Sequence, residues 1–179
     1  MRKVAIILAL SLFGTKLLVA QDNVMLDVGI KAPDWVLTDA DKKEFTMNSW
    51  AGKVLQINYV DPDESDLNDP FNDAVKKATD VDKTLSKELF KGFGIVDCKS
   101  TWKPNGLIRL IAGNKAKKYD TTILFDYDGL LQQEWGMPKN NYTVVILDKN
   151  RICRYIYKGH IPDSENAKIV QQIIELTKE

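Results

Sequence analysis

Residues 52–69 constrain the fold more than any other part of the chain. The run Val54–Val60 is apolar and strand-like, and it follows Gly52-Lys53. It leads directly into Asp61-Pro62-Asp63-Glu64-Ser65 and then to Asp69-Pro70, an aspartate at a predicted helix cap with proline at the first helical position. Strand, polar loop and helix in immediate succession are the unit on which α/β proteins place their chemistry, at the carboxyl end of the strand. Here the loop contains no cysteine, no histidine and no glycine-rich phosphate cradle. The sequence therefore says more about architecture than about activity.

The beginning of the chain has a different character. Arg2 and Lys3 precede an apolar run over residues 4–13, and Leu17-Leu18-Val19-Ala20 is followed by polar Gln21-Asp22-Asn23. Basic start, short apolar run and small residues before a polar segment read as a secretory signal peptide over residues 1–20, cleaved after Ala20. The run is shorter than the roughly 20 residues a membrane span requires, and no cysteine follows it to carry a lipid. A domain over residues 21–179, exported and without a stable membrane anchor after cleavage, is the expectation. The whole chain has 25 basic and 25 acidic residues. Loss of Arg2, Lys3 and Lys16 leaves a mature protein near −3, a balance that points away from nucleic acid.

The remaining residues suit one domain of ordinary globular composition, 44% apolar and 28% charged. Pro33 keeps Ala32 extended, and two short strands over residues 35–47 flank a polar turn at 38–43. After Val54–Val60 the helical spacing of Phe71, Ala74, Val75 and Ala78 predicts a helix, with a further helical piece over 80–90. A second apolar strand covers 92–97. A helix over 104–117 is predicted to bury Leu107, Leu110 and Ile111. Strand 121–125, short helix 130–136, strand 143–147 and its hairpin partner 151–158 follow. Asn150 supplies any positive φ the hairpin needs. Val170, Ile173 and Ile174 form the buried stripe of a last helix that opens at Asp163 or Ser164.

Several motifs carry a resemblance. Gly29-Ile30-Lys31-Ala32-Pro33-Asp34 with Gly52-Lys53-Val54 resembles the entry segment of exported thioredoxin-like and peroxiredoxin-like proteins. Asp126-Tyr127-Asp128-Gly129 with Glu134-Trp135-Gly136 resembles a later segment of the same superfamily, and 143–148 its strand after the cis-proline. More narrowly, Val144-Val145-Ile146-Leu147-Asp148-Lys149, Lys158-Gly159-His160 and the pattern from Glu165 through Val170-Gln171-Gln172 to Leu176 are similar to the YtfJ family of small exported proteins. The resemblance implies an α/β, thioredoxin-like fold: a mixed central sheet flanked by helices, with an N-terminal β-hairpin extension, in a bacterial periplasm. It implies no agreed activity.

The departures from the superfamily bear on function. Where a thioredoxin carries Cys-x-x-Cys, this chain reads Asp61-Pro62-Asp63-Glu64-Ser65, and Tyr142 stands where the cis-proline would be. A cis bond before a non-proline residue costs roughly 3 kcal/mol, so that peptide is expected to be trans. Only Cys98 and Cys153 remain. Cys98 follows a strand, and Cys153 is expected on the hairpin strand's face shared with Tyr155 and Tyr157. If their strands are the two edges of a four-stranded sheet, about 14 Å separates them, beyond the roughly 7 Å reach of a disulfide. Cys98, beside Lys99, is the better candidate for a reactive thiol.

The acidic loop brings Asp61, Asp63, Glu64, Asp66 and Asp69 within nine residues. Oxygen-rich clusters suit Ca²⁺, but the glycine and distant glutamate of a calcium-binding loop are missing. The bland alternative is a solvated stretch whose charge favours a helix N-terminus. A lone histidine, His160, excludes a multi-histidine metal site. Trp102, between polar residues, is the tryptophan expected at the surface, with Trp35, Trp50 and Trp135 packed inside. No motif calls for a cofactor or a metal. Three functions remain open. The first is a non-redox binding or accessory protein whose rim of Asp61, Asp63, Glu64 and Tyr142 meets a protein or small-molecule partner. The second is a thiol oxidoreductase or peroxiredoxin-like enzyme using Cys98. The third, a carboxylate hydrolase, has no positive signal.

Overall fold

The computed structural model describes residues 25–179. The signal-peptide reading of residues 1–20 lies outside them. Seven strands form one mixed sheet: β1 (Val36–Thr38), β2 (Glu44–Thr46), β3 (Val54–Val60), β4 (Phe90–Asp97), β5 (Thr122–Asp126), β6 (Tyr142–Leu147) and β7 (Cys153–Lys158), in the order β2-β1-β5-β4-β3-β6-β7. The helices are α1 (Asp69–Lys76), α2 (Asn105–Tyr119), α3 (Leu130–Glu134) and α4 (Asn166–Lys178). β3, β4 and β5 run parallel, while β6 and β7 are antiparallel to their neighbours. The predicted N-terminal hairpin is β1–β2, and β1 docks antiparallel on β5 through Thr38 and Phe125.

β3 is central because both its faces are covered, as a parallel strand requires. Leu55, Ile57 and Tyr59 enter a core with Trp35, Phe93, Leu131 and Trp135. Val54 enters the opposite core, under α1 and α4, with Phe71, Val75, Tyr142, Val144 and Ile173. A third, smaller cluster of Val96, Ile108, Ala112 and Phe125 lies under α2.

Several local expectations are corrected. Residue 68, not Asp69, precedes the first turn of α1, and Pro70 is the second helical residue. After α1 the chain widens into a single π-helical turn, Lys77–Val81, and Phe90 already opens β4, so 80–90 is not a helix. α2 buries Ile108 and Ala112, four residues apart, because these meet Val96 and Phe125, while Leu107 and Leu110 are exposed. The positive φ of the β6–β7 turn falls on Arg151, not Asn150. A register shift in the β6–β7 pairing sets Ile146 against Tyr155 and Leu147 against Cys153, leaving Arg154 as the extra residue. That bulge turns Cys153 to the face opposite Tyr155 and Tyr157.

Candidate functional site

The carboxyl ends of β3, β4 and β5 lie side by side and present Asp61, Asp97 and Asp126. All three are buried, and each carboxylate caps its own loop. Asp61 accepts the N–H of Asp63 at 2.8 Å. Asp97 accepts from Lys99 and Ser100, both at 3.1 Å. Asp126 accepts from Leu130 and Leu131 at the start of α3, at 2.8 and 3.0 Å. Gln132 ties the group together, donating from Nε2 to Asp97 and to Ser100 at 2.7 Å and to Tyr59 at 3.3 Å. Burial, then the Asp97 charge, raises the Asp61 carboxyl above its usual range, opposed by Lys103. Burial, then the Asp97 and Asp126 carboxylates, raises the Tyr59 phenol, which stays protonated.

Where the thioredoxin-like site would hold sulfur, then, this loop holds a buried, backbone-bonded Asp61 and a buried Pro62. Asp63 is exposed and ion-paired to Lys103, and Glu64 is half-buried. The acidic cluster does not converge on a point. Asp66 pairs with Lys115 at 2.6 Å, and Asp69 with Lys115 and Lys118 at 2.6 and 2.9 Å. Lysines from α2 and the loop before it thus take up the charge of the 61–69 loop. Among the described residues no three His, Cys, Asp or Glu side chains are grouped so as to hold a metal ion.

The thiols are poorly placed for sulfur chemistry. Both are free. Burial, then Asp97 and Asp126, pushes Cys98 up to about 12, with Arg109 opposing. The Lys99 ammonium gives no help, since it donates to the Asp128 carbonyl at 2.8 Å. Burial pushes Cys153 up to about 11. β7 is a sheet edge but β4 is not, which corrects the four-stranded picture. The two strands are still three spacings apart, about 14 Å. His160 is exposed, with Nδ1 2.9 Å from the Leu67 carbonyl. Trp102 is the exposed tryptophan, at 83%.

Tyr142 does not join Asp61, Asp63 and Glu64 on an exposed rim. No cis peptide occurs among the described residues. Tyr142 pairs with Val60 in the sheet and is buried on the helical side, where its hydroxyl accepts from Asn72 Nδ2 at 2.9 Å. There it borders a second feature that the sequence reading missed, a cavity of about 460 Å³ between α1, α2 and strands β3 and β4. Its signal was present in β3, where Gln56 and Asn58 stand at alternate positions of an otherwise apolar strand. Gln56 Nε2 donates to Asn58 Oδ1 at 3.2 Å and Asn72 Oδ1 at 3.0 Å, and Asn58 Nδ2 to Asn72 Oδ1 at 3.1 Å.

The comparisons agree with this architecture. A family model described as "Bacterial protein of unknown function (YtfJ_HI0045)" matches residues 25–179. The chain belongs to that family. A comparison with curated proteins finds no match by sequence. Among solved structures, a candidate thiol:disulfide interchange protein DsbE from Chlorobium tepidum superposes with a TM-score of 0.58 at 18% identity, covering 85% of this chain and 99% of its own. A candidate protein disulfide isomerase from Bacteroides thetaiotaomicron gives 0.60 at 22% identity, with 86% and 92% covered. The exposed lipoprotein thioredoxin Etrx1 from Streptococcus pneumoniae gives 0.56 at 14%, with 78% and 99% covered. At these identities the likeness shows the fold, which is thioredoxin-like. Among the described residues no helix is long and apolar enough to cross a membrane.

Proposed function

We propose that this member of the family is an exported, periplasmic binding or accessory protein that performs no dithiol–disulfide exchange. Exchange requires an accessible thiolate and a second sulfur within reach of the mixed disulfide. The carrying observation is the replacement of that pair by Asp61-Pro62-Asp63-Glu64, with Asp61 buried and bonded into the loop. The chain's two cysteines stand three strands apart, with pKa values of about 12 and 11. The solved structure described as an exposed lipoprotein thioredoxin supports an address outside the cytoplasm, as does the Arg2-Lys3, apolar run and Val19-Ala20 pattern. The surface offered to a protein partner is the strand-end rim, where Asp63, Glu64 and Trp102 are accessible. The cavity under α1 and α2 offers a place for a small molecule.

Insulin reduction with dithiothreitol as donor tests the redox half of the proposal, comparing wild type with Cys98→Ser and Cys153→Ser. The expected result is no acceleration over the uncatalysed rate in any of the three. Turnover that disappears in Cys98→Ser would replace the binding reading with a thiol oxidoreductase. Mass spectrometry of protein from the periplasm is expected to show Gln21 as the first residue. An intact Met1 would overturn the export claim.

A further inference from the structure

The helical face of the sheet carries two separate apolar cores, one under α1 and α4 and one under α2. What separates them is written into two adjacent strands. Gln56 and Asn58 of β3 lie in register with Gly92 and Gly94 of β4, on one face of the sheet. Two amides stand beside two residues without side chains. A Cβ on Gly92 would lie 3.5 Å from the Phe90 ring and 3.6 Å from Gln56 Oε1. One on Gly94 would lie 3.6 Å from the Ile123 side chain, again an ordinary contact. Side chains would therefore fit at both positions, and the cavity of about 460 Å³ takes their place.

The inner end of this cavity is unevenly satisfied. Gln56, Asn58 and Asn72 use their amide groups on one another, and Asn72 donates to Tyr142. Gln56 turns its Nε2 to the Asn58 and Asn72 side-chain oxygens, which leaves its own oxygen on the Gly92 side. Gln56 is only 2% exposed, and Oε1 has no hydrogen-bond partner among the described residues. A buried acceptor without a donor is costly, and proteins leave few of them. Tyr142 accepts from Asn72 and keeps its own O–H to donate, and burial holds that phenol protonated. One unused acceptor and one unused donor are the complement of a hydroxyl group.

The walls and mouth set the rest of the ligand's chemistry. Val75, Ile108, Ala112 and Ile123 make the walls apolar. The ammonium groups around the mouth are already engaged. Lys76 and Lys87 share Asp80, at 2.6 and 2.8 Å, and Lys115 lies 2.6 Å from both Asp66 and Asp69. Lys53 donates to the Lys87 carbonyl at 2.7 Å. Lys91 alternates with Gly92 along β4 and lies over the Trp50 ring on the other face of the sheet. A charged ligand would have to break one of these pairs or enter the apolar interior unpaired.

We infer that this cavity binds a small neutral molecule with one hydroxyl group on an apolar body: the hydroxyl donates to Gln56 Oε1, and the body lies between Val75 and Ile108. The volume is within the range of small-molecule sites, which combine mostly apolar walls with a few placed polar groups. A hydrocarbon would leave Gln56 Oε1 unpaired, and water alone would leave the apolar walls uncovered. The inference deepens the binding reading and rests on it. Insulin reduction reports on the thiols and the experiment below on the cavity, so either can fail alone.

The experiment is a titration of the ¹⁵N-labelled mature protein, followed by NMR, with 4-propylphenol up to about 2 mM, which reveals binding in the millimolar range or tighter. Two analogues are titrated alongside. 4-Propylanisole lacks the donor, and 3-(4-hydroxyphenyl)propanoate keeps the phenol but carries a charge at its far end. The expected result is saturable shifts of the Gln56 and Asn72 side-chain amides and of the Gly92 and Gly94 backbone N–H groups. Loss of one hydrogen bond should make the ether bind about fivefold more weakly. The acid should also bind more weakly than the phenol. Gly94→Val, which fills the cavity, should abolish the shifts. Should that variant unfold, Gly92→Ala, whose methyl group would stand 3.6 Å from Gln56 Oε1, should bring the phenol down to the affinity of the ether. The inference is overturned if 4-propylphenol leaves those resonances unmoved, if the ether or the acid binds as tightly as the phenol, or if the shifts map elsewhere.

Discussion

The side-chain oxygen of Asn68 accepts the backbone N–H of Ile161 at 2.8 Å, tying the start of α1 to the loop that follows β7. The same side chain donates from Nδ2 to the Gly159 carbonyl at 2.9 Å. Asn68 occupies the N-cap position of α1 yet makes no side-chain cap there. Both its polar ends are turned to the 159–161 loop, which fixes where α1, one wall of the cavity, begins.

Asn68→Ala should therefore cost more than a lost helix cap. It leaves the buried N–H of Ile161 and the carbonyl of Gly159 without partners, a loss of about 2–4 kcal/mol at roughly 1–2 kcal/mol for each group. Asn68→Asp keeps the acceptor but loses the donor and buries a charge, so it should also destabilise. Urea unfolding at pH 7 measures both, and a change below about 0.5 kcal/mol for Asn68→Ala would show that the tether is not structural.

Arg151 is a second internal tether. Its guanidinium donates to Met47 from Nε and Nη2 at 3.2 and 3.0 Å, to Trp50 at 2.8 Å and to Lys53 at 2.8 Å, so one buried side chain holds the whole turn ahead of β3. Its backbone is left-handed, with φ of 68°. Arg151→Ala should cost about 3–5 kcal/mol, because several carbonyls lose their donor together. Arg151→Gly loses the same hydrogen bonds but tolerates the backbone, and should be about 1 kcal/mol less damaging than alanine. Equal stabilities for the two variants would show that the backbone carries no strain here.

Two neighbouring aspartates should respond to pH with opposite signs. Asp61 has a folded-state pKa raised first by burial and then by Asp97. As pH climbs above the ordinary carboxylate value the unfolded chain releases this proton first, and stability falls until the folded value is passed. Asp61→Asn keeps an acceptor for the Asp63 N–H and should raise the melting temperature at pH 7, with no gain at pH 3. Asp69 is also raised by burial, but hydrogen bonds from Lys115 and Lys118 outweigh this and hold it below the ordinary value. Its contribution is present above the unfolded value and lost as pH falls through the folded one. Asp69→Asn should lower the melting temperature at pH 7 and cost progressively less in acid. Melting curves from pH 3 to 8 check both signs.

The chain order of the core strands, the N-terminal hairpin and the central place of Val54–Val60 were legible because they rest on apolar periodicity and on Gly and Pro punctuation. What was not legible depended on partners distant in sequence. Nothing local marks Arg154 as a bulge, yet that one residue decides which face Cys153 occupies. Leu107 and Leu110 look like core, but α2 meets Val96 and Phe125 through Ile108 and Ala112. The acidic loop looked solvated, and its charges instead find Lys103, Lys115 and Lys118 from beyond β4. Gln56 and Asn58 could have been singled out as amides inside a buried strand. Their meaning came only with the register that sets them beside Gly92 and Gly94.

The last prediction concerns Cys98, whose surroundings oppose thiolate formation on three counts. It is partly buried, and the nearby Asp97 and Asp126 carboxylates repel a second negative charge. Its Sγ–H points to the Val96 carbonyl at 3.6 Å, a contact that favours the protonated form. The guanidinium of Arg109 is the one opposing influence. A thiol raised from its ordinary value of 9.0 to about 12 has about a thousandfold less thiolate at pH 8, and alkylation proceeds through the thiolate. Iodoacetamide should therefore label Cys98 in the folded protein at pH 8 several hundredfold more slowly than in 6 M urea. Peptide mapping with mass spectrometry, on Cys153→Ser to isolate the one thiol, reads the rate directly. Arg109→Leu should slow labelling further, and Asp97→Asn should speed it, because each removes one of the charges that set the thiol. A folded-state rate within tenfold of the unfolded one would show that the surroundings do not suppress the thiolate. A folded-state rate above the unfolded one would mark Cys98 as an activated thiol, and the redox reading would then outrank the binding one.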